Sequence, residues 1–84
     1  MKIKNINVKV AQKKVEEVYI NTPFITLDSA LKLVGIAGTG GQAKFLIKDN
    51  LIKVNGEVCE VLRKKLYEGD KFTFEDTEFV IKNS

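Results

Sequence analysis

Asn55-Gly56, set between Leu51-Ile52-Lys53-Val54 and Glu57-Val58, constrains this chain more than any other feature of its sequence. A two-residue hairpin turn needs positive φ at its centre, which Asn and Gly tolerate. The pair therefore predicts a strand that doubles back on itself. Such a hairpin must pack against another layer, and two amphipathic segments upstream can supply it.

In the first segment Thr26 can cap a helix beginning at Leu27. Leu27, Ala30, Leu31 and Val34 repeat with the spacing of one apolar helical face, and Gly35 stands where a left-handed residue would end the helix. Gly38-Thr39-Gly40-Gly41 then predicts a turn. Thr39 and Gln42 have capping-box spacing, so a second helix should start there, with Ala43, Leu46 and Ile47 as its buried stripe and Asn50 as its left-handed end. Val15, Val18, Tyr19 and Ile20 read as a strand, broken by Asn21-Thr22-Pro23. Gly69-Asp70 marks a turn, and Lys71-Phe72-Thr73-Phe74 alternates as a half-buried strand. Glu75 to Glu78 reads as a turn and Phe79-Val80-Ile81 as a last strand. The expected class is α+β: two short helices packed on a small, mostly antiparallel sheet.

At 84 residues the chain is expected to form one domain over 15–84, preceded by a basic lead at 1–14 that fits either an edge strand or a mobile segment. A core this small leaves little room for a deep substrate cleft. The single cysteine, Cys59, cannot form an internal disulfide, which fits a reducing compartment, and it reads as a small buried apolar residue. With no histidine, a Cys-His pair and the common zinc patterns are excluded, and no metal or other cofactor is expected. No apolar run approaches the roughly 20 residues of a membrane helix. The start, MKIKNINVKV, lacks the apolar stretch of a signal peptide, so a cytoplasmic location without membrane contact is expected.

The formal charge of +3 is unevenly distributed. Residues 1–14 hold five lysines and no acid, and residues 41–65 hold six basic and three acidic side chains. Residues 15–40 and 66–84 are net acidic, so the C-terminal end should face away from a polyanion. On the second helix Lys44 and Lys48 share one flank. Phe45 points nearly opposite the apolar stripe, next to Lys48. Two lysines and an exposed ring suit a phosphate backbone and an unstacked base, although the same pattern also describes a solvated lysine face. Gly40 and Gly41 place backbone N–H groups at a helix N-terminus, where anions are favoured, or they simply permit a tight turn. Arg63-Lys64-Lys65 forms a third basic cluster, which gains meaning if it lies beside Lys44 and Lys48.

Taken in order, Leu27-Asp28, Gly38 to Gly41, Ala43-Lys44, Val54-Asn55-Gly56 and Gly69-Asp70 resemble the RNA-binding domain named after the fourth protein of the small ribosomal subunit, with its alpha-L motif at 25–74. Gly40 to Lys44 and Lys65 to Asp70 look most like the short stand-alone bacterial members of the YaaA and YbcJ type. Three positions depart from the pattern. Asn50 stands where the family often has Gly, and Leu62-Arg63-Lys64-Lys65 stands where these members carry Arg-Arg-Gly-Lys. The resemblance implies non-catalytic binding of structured RNA, such as ribosomal RNA, by a monomer. Residues and resemblance together point to Gly41, Gln42, Lys44, Phe45, Lys48, Lys53, Asn55, Arg63, Lys64 and Lys65 as the contact set. Asp28 and Asp70 read as capping and turn residues and not as an acid pair. The alternative is a protein-interaction module without direct RNA contact, presenting Tyr19, Phe24, Phe45 and Phe79 as an apolar patch.

Overall fold

The computed structural model describes residues 14–84, so the expectations for the lead before Lys14 lie outside the described residues. The elements in chain order are β1 (Lys14–Ile20), β2 (Ile25–Thr26), α1 (Leu27–Leu33), α2 (Gly40–Lys48), β3 (Ile52–Val54), β4 (Glu57–Val58), β5 (Lys65–Leu66), β6 (Lys71–Phe74) and β7 (Thr77–Asn83). Five strands form one sheet in the order β1-β7-β6-β3-β4, while β2 and β5 pair separately. Only β1 and β7 run parallel, with both helices and five strands lying between them in sequence; the other pairs are antiparallel. The architecture is α+β, two helices on a mixed and mostly antiparallel sheet.

Strand alternation places Val18, Ile20, Ile52, Val54, Phe72, Phe79 and Ile81 on one face, where they meet Leu27, Ala30 and Leu31 of α1 and Ala43 and Ile47 of α2. Phe72 and Phe79 are cross-strand partners and stack with ring centroids 4.8 Å apart. Such pairs add to the apolar burial that holds β6 to β7. Both helices lie on this face. The opposite face carries the alternate residues, among them Lys53, Lys71, Thr73 and Glu78.

The two helices end in the same way. After α1, the N–H of Gly35 (φ +84°) donates to the Lys32 carbonyl and that of Ile36 to the Leu31 carbonyl. After α2, the N–H of Asn50 (φ +60°) donates to the Ile47 carbonyl and that of Leu51 to the Leu46 carbonyl. Both are Schellman motifs, and Asn50 substitutes for glycine because Asn enters the left-handed region more readily than other side chains. The hairpin also forms as the sequence indicates, with Asn55 at φ +52° and Gly56 at φ +90°.

Two local expectations need correction. The Thr26 hydroxyl makes no capping bond and instead pairs with the Ser29 hydroxyl at 3.0 Å. The first N–H groups of α1 go to backbone, Leu27 to the Lys64 carbonyl at 2.8 Å and Asp28 to the Leu62 carbonyl at 3.1 Å. The turn expected over Glu75 to Glu78 is only the pair Glu75-Asp76, because Glu75 adopts φ +55° and β7 begins at Thr77. Strands β2 and β5, two residues each, are too short to leave a periodic signal in the sequence.

Candidate nucleic-acid interface

Ala43 and Ile47 fix the orientation of α2 by burying its inner stripe. At about 100° per residue, the exposed arc then runs from Lys44 through Lys48, Gly41 and Phe45 to Gln42, roughly 160° of the helix surface. All five of these residues are exposed. Phe45 leaves 58% of its surface open. Neither lysine forms an ion pair with any described residue. No acid lies within α2 to offset this like-charged pair, which by itself disfavours the helix slightly.

The start of α2 is capped by a reciprocal arrangement. The Thr39 hydroxyl accepts from the Gln42 N–H at 3.2 Å, and the Gln42 side-chain carbonyl accepts from the Gly38 N–H at 2.6 Å. The capping-box spacing is therefore used, but Gln42 reaches one residue beyond the N-cap. The neighbouring glycines are not explained by the fold. Gly40 and Gly41 are helical and neither has positive φ. A Cβ at Gly40 would meet nothing within 4 Å, and one at Gly41 would meet only Thr39 Oγ1 at 3.8 Å, an ordinary contact. Two glycines in a nine-residue helix disfavour it by up to about 1 kcal/mol each relative to alanine. What they provide is an uncluttered first turn with accessible backbone N–H groups.

A second basic group lies in the loop before β5. The Leu62 and Lys64 carbonyls are turned into the start of α1, and the Arg63 and Lys64 side chains are exposed. Burial pushes the Asp28 carboxyl up, but hydrogen bonding at Thr26 and the Ser29 backbone, with the charges of Arg63 and Lys32, outweighs it and holds Asp28 below its ordinary value. One Asp28 oxygen is out of solvent without a hydrogen-bond partner. Lys65 sits 4.9 Å over the Phe24 ring, which in turn packs on Tyr67, so this ammonium is held by a cation–π contact.

The remaining sequence-derived positions separate from these groups. Asn55 accepts from the Lys71 N–H at 3.1 Å and donates to Asp70 at 3.2 Å, so its amide ties the β3-β4 turn to the turn before β6. Asp70 also accepts from the Tyr67 N–H at 2.8 Å, which gives it a turn role. Lys53, between buried Ile52 and Val54, projects from the sheet face away from the helices. Lys64 and Asn55 line one depression of about 290 Å³, together with Cys59, whose buried thiol donates to the Val61 carbonyl at 3.4 Å. Gly41, Gln42 and Phe45 line another. The Arg63 loop is thus tied to the start of α1 and the end of β3, while Lys44 and Lys48 project from the outer side of α2.

Sequence reasoning missed the supports of these groups: Gly38 under Gln42, and Phe24 under Lys65. Both are contacts between residues without a recognisable joint pattern. The four aromatic residues considered for an apolar patch do not assemble. Phe79 is in the core, Phe24 is half-buried against Tyr67, and Tyr19 and Phe45 are exposed on β1 and α2. Among the described residues there is no group of three or more metal-ligating side chains, and no helix is long and apolar enough to cross a membrane.

Residues 18–82 match the S4 domain, and the chain belongs to that family. It is similar to the probable ribosome maturation protein RlbA of Bacillus subtilis (strain 168), with 39% identity over 51 residues, 61% of this chain and 72% of that protein. In three dimensions it resembles the solution structure of YbcJ from E. coli, described as having an alfaL motif involved in RNA-binding. That likeness has a TM-score of 0.58 at 24% identity and covers 94% of this chain and 99% of the other.

Proposed function

We propose that this protein binds structured RNA without catalysing a reaction on it, through the exposed arc of α2 and the Arg63 to Lys65 loop. The observation that carries this reading is the outer side of α2, where two first-turn glycines that the fold does not require share one exposed arc with a phenylalanine ring and two lysines that form no ion pair among the described residues. Local rules broken without benefit to the fold are expected at functional positions. Membership of the S4 domain family and likeness to a probable ribosome maturation protein support RNA as the partner, with ribosomal RNA or a ribosome precursor the favoured form. A cytoplasmic site of action follows from that partner.

Lys44, Lys48, Arg63 and Lys64 would neutralise phosphates and release counterions, so affinity should fall steeply with salt. Gly40 and Gly41 would let a phosphate approach the helix N-terminus. Lys65 would contribute less, being held over Phe24, and Asn55 would act by shaping the hairpin. Titrating purified ribosomal RNA into the wild type and the Lys44→Ala/Lys48→Ala double variant over a range of KCl tests this. Removing both lysines should weaken binding and reduce the slope of log K against log salt by about 1.5. An unchanged slope would exclude α2 as the contact surface. Binding insensitive to salt would favour apolar association with a protein instead.

A further inference from the structure

Beside the exposed arc of α2 lies a shallow, largely open groove of about 540 Å³, lined by Ile36, Thr39, Gly41, Gln42, Phe45 and Leu46. Its size falls within the roughly 300–1,000 Å³ of small-molecule sites. Its walls are of two kinds. Ile36 and Leu46 are half-buried and packed against the core, so they form a fixed apolar floor. Phe45 stands more than half exposed, with its ring available to a flat partner. Gln42 supplies the polar edge. The Gly38 N–H can only donate, so the side-chain atom of Gln42 that it meets at 2.6 Å must be the carbonyl oxygen. This identifies the oxygen end of the amide, and the NH₂ group has no acceptor among the described residues.

A shallow groove with an apolar floor, an exposed ring and an amide donor, on the same helix as Lys44 and Lys48 and without acids, is complementary to one kind of occupant: a planar heterocycle attached to a polyanion. We propose, building on the RNA-binding reading above, that this groove takes an unpaired nucleobase extruded from the RNA. The base stacks on Phe45, and Gln42 donates to an acceptor on its edge. The preferred RNA then carries a bulge or an unstacked loop nucleotide beside a duplex, with phosphates of the duplex meeting Lys44 and Lys48. Guanine, which presents N7 and O6 as acceptors, suits the Gln42 donor.

The test compares an RNA hairpin carrying a single bulged guanosine with the same hairpin fully paired, both titrated at one low KCl concentration. The wild type should bind the bulged hairpin about tenfold more tightly, as expected of one base stacked on an aromatic ring. Phe45→Leu keeps the apolar volume and loses the ring, so the bulged-to-paired ratio should collapse towards one. Gln42→Leu should lower the ratio less, and thermal melts would confirm that both variants fold. Equal wild-type affinities for the two hairpins, or a ratio that survives Phe45→Leu, would overturn the nucleobase site. If both hairpins nevertheless lose affinity on Lys44→Ala/Lys48→Ala, the RNA-binding reading stands without it. If neither hairpin binds in a salt-dependent way, that reading falls and the nucleobase site falls with it.

Discussion

The two helices are similar in length and end in the same hydrogen-bond motif, yet they follow opposite rules. Helix α1 has Asp28 in its first turn and Lys32 in its last, the arrangement the helix dipole favours. Its first two N–H groups are bonded to loop carbonyls, and Leu27, Ala30 and Leu31 are fully buried. Helix α2 opens with two glycines, has no acid in its first turn, sets two lysines four residues apart and exposes a phenylalanine. The same small core supports both. The contrast separates a helix built for the core, α1, from one that uses two buried side chains to present an outer surface the fold leaves unused, α2.

The largest expected effect that would break this division is in α1. Leu31→Ala removes a fully buried side chain and should destabilise the domain by about 2–5 kcal/mol, measurable as a loss of denaturant midpoint. The matching truncation in α2, Phe45→Ala, should change stability by about 0.5 kcal/mol or less because the ring is mostly exposed. Similar losses from the two would remove the distinction. An intermediate effect is expected at Gly35, whose φ of +84° strains any side chain. Gly35→Ala should cost about 1 kcal/mol even though a Cβ there would meet nothing within 4 Å.

The smallest effect concerns acid. The Asp28 carboxyl titrates below its ordinary 3.8 in the folded protein, so its contribution to stability is present above that value and is lost as pH falls through the lower folded value. Asp28→Asn should therefore flatten the acid limb of the stability profile below pH 3.8 and leave binding at neutral pH nearly unchanged. An unaltered acid limb would show that the hydrogen bonds and charges around Asp28 do not hold its carboxyl below the ordinary value.

Much of the fold was legible because its signals are local. Asn55-Gly56, Gly35 and Asn50 each announce a backbone conformation few residues adopt, and all three adopt it. The stripe of Ala43, Leu46 and Ile47 is enough to orient α2, since helical periodicity leaves little choice of buried face. The β2-β5 ladder was not legible, because two-residue strands carry no period and their pairing joins Ile25 to Leu66 across the chain. The parallel placement of β1 beside β7 was hidden because periodicity marks each strand but not its partner, and here the pairing joins Lys14 to Thr77. At the candidate site, the α2 positions were readable from the helix itself. The engagement of Asn55 with Asp70 and of Lys65 with Phe24 depends on residues far apart in sequence.

The central claim is that the first turn of α2 is shaped for RNA at the expense of the helix, and the Gly40→Ala/Gly41→Ala double variant addresses it most directly. Thermal unfolding and RNA titration would be measured on the same preparation. The account predicts a more stable domain, by up to about 1 kcal/mol per substitution, that binds RNA more weakly. A less stable domain, or one that binds RNA as tightly as the wild type, would contradict it.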